Sequence, residues 1–115
     1  MLEKAKNILD EFKAEDVQVL TMPDFAIVEH MIVASGTSTR HLWTMAEKVI
    51  QSFRKDGVRG FVEGDSSSQW VVLDMHEIII HLFIPEVRVT YDLESLWLQR
   101  PEGNIVDDSM MDGGV

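Results

Sequence analysis

The sequence predicts a single small α/β domain, of the α+β kind, in which helices flank a mixed β-sheet. Its 115 residues suit one compact domain, and a hydrophobic fraction of 45% is typical of a folded globular chain. Two segments repeat apolar residues at helical spacing, whereas several shorter apolar runs are bounded by glycine, proline or serine. We expect the domain to cover residues 1–98 and a flexible acidic tail to cover residues 99–115.

The first elements are predicted by the spacing of apolar residues. Residues 2–14 are predicted to form an amphipathic helix, and residues 17–20 a short strand that Pro23-Asp24 ends. Met31 to Ala34 form a continuous apolar run, which is typical of a strand buried on both faces. The first helix is predicted from four apolar residues, Leu2, Ala5, Leu9 and Phe12.

A strand, a glycine turn and a long helix follow one another in the middle of the chain. Ser35-Gly36 ends the buried strand, and Thr37-Ser38-Thr39 each offer an oxygen that can cap a helix. The helix is predicted to end near Lys55-Asp56-Gly57 and to lead to a strand over residues 58–62, completing a βαβ-like unit. Its apolar face comprises Leu42, Met45, Ala46, Val49, Ile50 and Phe53.

Two strongly apolar runs follow a serine-rich loop over residues 64–68. They cover residues 70–75 and 78–84, and the short link His76-Glu77 predicts a hairpin. Pro85 ends the second strand, and residues 87–97 are predicted to form a final helix or helical turn.

Charge and composition restrict the classes of partner. The net charge of −10 makes the chain poorly suited to bind nucleic acid or an anionic membrane, and favours a basic protein surface. Acidity that serves only solubility is the alternative explanation. The absence of cysteine excludes disulfides and thiolate metal sites. No apolar run approaches the roughly 20 residues that cross a bilayer, and the N-terminus lacks the apolar block of a secretory signal.

Two patterns are compatible with nucleotide chemistry. The turn Ser35 to Ser38, with Arg40 and His41 beyond it, can offer backbone N–H groups to an anion at a helix start. It lacks the glycine spacing and lysine of a Walker loop, so an ordinary helix start is the alternative. Asp74 and Glu77 are the obvious paired carboxylates for Mg²⁺, but no second acid stands two residues after Asp74.

The histidines and aromatic residues are more typical of structure and binding than of catalysis. None of His30, His41, His76 and His81 is paired at the i, i+4 spacing of a zinc helix. His81 lies in an apolar strand, which favours a hydrogen-bonded structural role. Trp70 starts a strand after a serine loop and is predicted to be either an interface residue or a core residue, whereas Trp97 is predicted to pack in the core.

Six motifs, in this order and spacing, resemble one known family. The chain is similar, from about Leu2 to Trp97, to the ribosomal silencing factor S (Iojap) proteins of bacteria, chloroplasts and mitochondria. The motifs are Ser35-Gly36-Thr37-Ser38-Thr39-Arg40-His41, Glu63-Gly64 followed by Trp70, Val71-Val72-Leu73-Asp74, Ile78-Ile79-Ile80-His81, Pro85-Glu86-Val87-Arg88 and Tyr91-Asp92-Leu93-Glu94-Ser95-Leu96-Trp97.

The resemblance implies a fold related to nucleotidyltransferases but without their catalytic acids. It also implies a non-enzymatic factor that needs no cofactor, binds large-subunit ribosomal protein number 14 and blocks joining of the small subunit. The implied role is silencing of translation or large-subunit assembly, in the bacterial cytoplasm or, as we slightly favour, the mitochondrial matrix. A homodimer away from the ribosome is left open. The motif residues implied to be structural are Gly36, Thr37, Ser38, Arg40, His41, Glu86, Arg88, Tyr91 and Trp97.

Some positions depart from the family pattern. Glu29-His30 replaces the usual Asp-Tyr pair, and the segment around Pro23-Asp24-Phe25 is loosely matched. His76 stands where the family's hairpin carries glycine, so we expect a turn of different shape, because a left-handed conformation costs a non-glycine residue about 1–2 kcal/mol.

Two classes of function are therefore carried forward, with a scaffold that recruits assembly factors through its helices as a third. The first is the ribosome-binding factor, with a contact surface made of Trp70, Leu73, Asp74, Glu77 and His81. The second is a nucleotide-binding or nucleotidyl-transferring enzyme that uses the loop Ser35 to Thr39 together with Asp74.

Overall fold

The computed structural model describes residues 1–87, which form two helices and five strands. The elements are α1 (Leu2–Glu11), β1 (Glu15–Thr21), β2 (His30–Ser35), α2 (Thr39–Lys55), β3 (Phe61–Glu63), β4 (Trp70–Asp74) and β5 (Ile78–Phe83). Residues 85–87 are helical. Arg88, Tyr91, Trp97 and the acidic tail lie outside the described residues.

The five strands form one mixed sheet in the order β1-β2-β5-β4-β3. β2 and β5 pair in parallel, and the other three pairings are antiparallel. The predicted fold class and the hairpin of β4 and β5 are thus confirmed. The helix α2 connects β2 and β3, which run in the same direction, as in the predicted βαβ-like unit. These two strands are not neighbours, because β5 and β4 lie between them.

Both helices cover the same face of the sheet, which we call the helix face. Their apolar residues pack on fully buried side chains of the central strands, including Ile32, Leu73 and Ile80. Lys4 of α1 joins the two helices, because its ammonium group contacts the carboxylate of Asp56 and the carbonyl oxygen of Ser52. In residues 1–87 no helix is long and apolar enough to span a membrane.

The opposite side of the sheet, which we call the open face, carries a smaller apolar cluster. Its buried members are Met22, Met31, Val33 and Phe83. Partly buried side chains pack against them, namely Leu20, Ala26, Val28, Trp70 and Val87. β2 is therefore covered on both sides, as its unbroken apolar run predicted, and neither α1 nor α2 lies over the open face.

Two predicted element boundaries are wrong for local reasons. The helix α1 ends at Glu11 instead of residue 14, because Lys13 takes the left-handed conformation with φ of 67° and turns the chain into β1. The strand predicted over residues 58–62 starts only at Phe61. Val58 instead donates its N–H to the carbonyl oxygen of Phe53, at 2.9 Å, and so completes the end of α2.

Candidate binding surface

An aromatic cluster lies at one end of the open face. Trp70 starts β4 and is paired in register with Phe83 of β5, so their rings meet with centroids 4.8 Å apart. The indole Nε1–H of Trp70 donates a hydrogen bond of 3.0 Å to Nδ1 of His81. The His81 ring also stacks on Phe83, at 6.0 Å and an interplanar angle of 9°. Trp70 and His81 are half-buried, so each keeps part of its surface open.

The hydrogen bond from Trp70 determines which ring nitrogen of neutral His81 carries the proton. An indole N–H can only donate, so Nδ1 of His81 must carry the lone pair and Nε2 the proton. Burial lowers the pKa of His81 to about 4, and the ring is therefore neutral near pH 7. Among the described residues Nε2 has no hydrogen-bond partner, and it is available as a donor to a bound molecule.

Apolar and acidic side chains extend the open face beyond this cluster. Val72 and Ile79 are half-buried, and Phe61 of β3 lies opposite Asp74 with 53% of its surface exposed. Because paired residues of adjacent strands project to the same side, Asp74 and Glu63 also belong to this face. The surface therefore combines apolar contacts with a carboxylate border.

The prediction that Leu73 belongs to the contact surface is wrong. Its side chain is fully buried in the helix-face core, so it is unavailable to a partner in this fold. Successive residues of a strand project to opposite sides, which places Leu73 opposite its neighbours Val72 and Asp74. The predicted residues Trp70, Asp74 and His81 share the open face, and Glu77 is exposed in the adjoining hairpin turn.

The turn that joins β4 and β5 contains a histidine in a conformation that favours glycine. His76 has φ of 75°, the left-handed region. Its N–H donates to Oδ1 of Asp74 at 3.0 Å, and its ring nitrogen Nε2 lies 2.6 Å from the carbonyl oxygen of Arg59. These two bonds offset the conformational cost, so His76 holds the left-handed turn for which we had expected another shape.

The glycine-serine loop before α2 serves the fold. Ser38 caps the helix by accepting the N–H of His41 at 3.1 Å. The Nδ1 atom of His41 accepts the N–H of Thr37 at 2.9 Å, and its Nε2–H donates to the carbonyl oxygen of Phe12 at 2.7 Å. His41 thus ties the end of α1 to the loop with both ring nitrogens. A Cβ on Gly36 would lie 2.7 Å from Leu42, so the loop has no room for a larger residue there.

This arrangement separates the two parts of the predicted nucleotide site. The loop follows Ser35, which is paired with Phe83, and Phe83 is paired with Trp70, at one end of the sheet. Asp74 lies four residues further along β4, roughly 13 Å away at the usual strand rise. The loop and Asp74 are therefore not brought together. In residues 1–87 no three acidic or histidine side chains are grouped as metal ligands.

Several exposed or half-buried apolar residues were not predicted from the sequence as part of a binding surface. Val72, Ile79 and Phe61 lie on the open face, and the alternation along β4 was a signal that could have found Val72. Phe25 and Ile27, in the loop between β1 and β2, are 59% and 96% exposed. No pattern in the sequence distinguishes these two from the core residues around them.

Comparison with known proteins identifies the family. The family model described as ribosomal silencing factor during starvation, RsfS, matches residues 1–112. The chain belongs to the RsfS/Iojap family. The family is named for ribosomal silencing and not for an enzymatic reaction.

The relatives of this RsfS-family chain include bacterial and mitochondrial proteins. It is 35% identical over 99 residues to the ribosomal silencing factor RsfS of Zymomonas mobilis, a match covering 84% of this chain and 74% of that protein. It is 32% identical over 99 residues to the mouse mitochondrial assembly of ribosomal large subunit protein 1. That match covers 82% of this chain but only 43% of the mouse protein.

Solved structures share the fold. A crystal structure of a Chromobacterium violaceum protein superposes with a TM-score of 0.79 at 29% identity, covering 95% of this chain and 92% of that one. A Bacillus halodurans structure gives a TM-score of 0.75 at 28% identity, covering 84% of this chain and 91% of that one.

Proposed function

We propose that this chain binds large-subunit ribosomal protein number 14 through its open face and thereby prevents the small subunit from joining. The observation that carries the proposal is the half-exposed pair of Trp70 and His81 on the sheet face opposite α1 and α2. On this proposal the chain is a binding protein and performs no enzymatic reaction.

Family membership supports a ribosomal target. The bacterial relatives are named ribosomal silencing factors, and the mouse relative is named for assembly of the large ribosomal subunit. Both names are consistent with a factor that binds the large subunit, either during its assembly or in place of the small subunit. A rigid domain with extents of 34 × 31 × 21 Å, seated where the subunits meet, would block their contact by its bulk alone.

The open face has the chemistry of a protein-binding surface. Trp70 can bury a large apolar area while its N–H stays bonded to His81, so binding leaves no unpaired donor on the indole. The Nε2–H of His81 provides a directional bond to a partner carbonyl or carboxylate. Asp74, Glu63 and Glu77 border this centre, and such carboxylates favour a partner that presents a basic surface.

Alanine substitution of Trp70 tests the proposal. A central interface tryptophan typically contributes about 2 kcal/mol or more, so Trp70→Ala is expected to weaken binding by roughly thirtyfold or more. The measurement is co-sedimentation with purified large subunits, complemented by titration of the isolated ribosomal protein. Binding of the unchanged chain to free large subunits, but not to joined ribosomes, is the expected reference pattern.

Phe12→Ala is the matched control for that variant. Phe12 is another half-buried aromatic residue, but it packs on the helix face, so its loss should lower stability without weakening binding. Full-strength binding by a folded Trp70→Ala variant would show that Trp70 is not the anchor. Calorimetry with ATP and Mg²⁺ should detect no binding, and micromolar affinity there would support the enzymatic alternative.

A further inference from the structure

A second aromatic residue lies on the open face, at the end away from Trp70. Phe61 starts β3 and is paired in register with Asp74, so its side chain projects to the open face. Trp70 lies four residues before Asp74 on β4, which separates the two aromatic positions by roughly 13 Å along the strand direction. The half-buried Val72 lies between them on the same face.

The Phe61 side chain contributes little to the core. It belongs to neither the apolar cluster of the helix face nor that of the open face, and more than half of its surface is exposed. Single exposed apolar side chains are common on protein surfaces and need no partner. Phe61 differs from such a residue because two neighbouring side chains hold its ring in place.

The histidine of the turn between β4 and β5 is one of these neighbours. The rings of His76 and Phe61 meet edge to face, with centroids 6.2 Å apart and an interplanar angle of 76°. The Nε2–H of His76 donates to the carbonyl oxygen of Arg59, two residues before Phe61. His76 therefore fixes the start of β3 against the turn. A glycine would adopt the left-handed conformation more easily but would leave Phe61 without these contacts.

Arg59 is the other neighbour and adds a positive charge. Its guanidinium lies 5.8 Å from the centroid of the Phe61 ring, within the range of a cation–π contact. Arg59 is exposed, and within residues 1–87 its guanidinium is paired with no carboxylate. A guanidinium that rests on an aromatic ring keeps N–H groups at its edge, where they can donate to a planar carboxylate.

This positive charge stands beside an acidic border. Asp74 and Glu63 project to the same face and favour basic groups of a partner. Basic groups are repelled at Arg59, so a partner complementary to the whole face presents a negative group at this point. The change of sign also selects one register of the partner, because a shifted register would bring like charges together.

We propose that Phe61, with His76 and Arg59 around it, is a second anchor of the open face, and that it receives an apolar side chain next to a carboxylate of the bound ribosomal protein. The inference rests on the proposed function, since it assigns a further contact to the same partner. None of these three residues belongs to the contact surface predicted from the sequence. Two separated anchors define the orientation of the partner, which Trp70 alone would leave free to rotate.

Alanine substitution of Phe61 tests the second anchor. In titrations of purified large subunits, Phe61→Ala should weaken binding by roughly five- to thirtyfold, the range for interface residues that contribute appreciably. Combined with Trp70→Ala, the two effects should multiply, because sites this far apart act independently. The control is Phe25→Ala, which should bind at full strength. Phe25 is a similarly exposed aromatic residue in the loop between β1 and β2, at the opposite edge of the sheet.

The results separate the second anchor from the proposed function. Weakening by Trp70→Ala together with full-strength binding by a folded Phe61→Ala variant would overturn the second anchor alone. Equal weakening by Phe25→Ala and Phe61→Ala would also overturn it, since the effect would then not be located at β3. If the unchanged chain binds no large subunits, the proposed function fails and the second anchor fails with it.

Charge reversal at Arg59 tests for the carboxylate of the partner. Arg59→Glu should weaken equilibrium binding by roughly tenfold or more, because it places like charges together. Arg54→Glu is the matched control, since it makes the same change at an exposed arginine of α2, and it should not weaken binding. Unchanged or stronger binding by Arg59→Glu would overturn the assignment of a carboxylate at this point.

Replacement of His76 by glycine tests its positioning role. His76→Gly keeps the left-handed turn and removes the ring, so chemical unfolding should show little loss of stability. Binding should nevertheless weaken by roughly two- to tenfold, the usual cost of ordering one side chain. In the Phe61→Ala background the same change should leave binding unaltered. A loss of binding that persists in that background, or no loss in the unchanged background, would overturn the positioning role.

Discussion

The hydrogen bond between Trp70 and His81 is the residue-scale feature on which the proposed binding surface depends. It places the indole against Phe83 and defines which ring nitrogen of His81 carries the proton. Each side chain restricts the other, so the surface is ordered before a partner arrives. Preorganisation of this kind lowers the entropy that binding must overcome.

The free energy of unfolding should fall at acid pH because the His81 ring is buried in its neutral form. The pKa of His81 is about 4 in the folded chain, against 6.5 for an ordinary histidine. Between these values the unfolded chain binds a proton that the folded chain does not, so stability falls as the pH drops from 6.5 to 4. This contribution of His81 to the free energy of unfolding is fully present above pH 6.5 and amounts to up to about 3 kcal/mol.

His81→Asn separates this effect from the titration of the acids. Asparagine keeps an acceptor near the position of Nδ1 but cannot titrate, so urea unfolding at pH 7 and pH 4.5 should show a smaller loss of stability than in the unchanged chain. His81→Leu removes the acceptor as well and should weaken binding to the ribosomal protein, because it leaves the Trp70 N–H unsatisfied. Identical pH dependence of His81→Asn and the unchanged chain would contradict the assignment.

The sequence predicted only some of these side-chain positions. Trp70, Asp74 and His81 were predicted as surface residues and do share one face. Leu73 was included although strand alternation places it on the opposite side. The hydrogen bond between the His41 ring and the carbonyl oxygen of Phe12 was not predictable, because it joins residues 29 positions apart and depends on how α1 meets the loop.

At the scale of elements, the short strand β3 depends on one glycine before it. A Cβ on Gly60 would collide with Sδ of Met75 and would lie 2.9 Å from Cδ1 of Ile50. Gly60 therefore allows the link from α2 to pass close over the core.

Gly60→Ala should destabilise the domain by about 1–3 kcal/mol, the usual cost of overpacking, as measured by chemical unfolding. Combined with Met75→Ala, which removes the colliding atoms, its cost should be smaller than in the unchanged background. Gly57→Ala is the matched comparison, since nothing lies within 4 Å of its Cβ position and its cost comes from φ of 83° alone. Additive costs for Gly60 and Met75 would show that the collision is not the cause.

Helix α2 and the central strands were predictable because their signals are local. The cap at Ser38, the glycine after Lys55 and the apolar periodicity define α2 without tertiary information. β3 was predicted too early because Val58 is apolar and β-branched like a strand residue. Its N–H is taken by the end of α2, and that competition is not visible in the sequence.

At the scale of the whole molecule, the net charge of −10 should govern how quickly the chain finds a basic partner. Salt screens such attraction over about 8 Å at physiological ionic strength, so the association rate with the ribosomal protein should fall as salt rises. Asp74→Asn with Glu77→Gln should reduce this salt dependence, and the asparagine still accepts the N–H of His76.

Asp10→Asn with Glu11→Gln provides the control in stopped-flow measurements. This double variant removes the same amount of charge from exposed residues of α1, which covers the helix face of the sheet. If both double variants change the association rate equally, net charge alone is responsible and the acidic border of the open face has no special role.

By itself the sequence determined the class of fold and the family. Those conclusions follow from local periodicity and from motif order, which can be recognised without knowledge of tertiary contacts. The tertiary structure alone decided which face of the sheet the helices cover and that the loop before α2 is remote from Asp74. These depend on strand register and on the order β1-β2-β5-β4-β3, in which residues distant in the chain become neighbours.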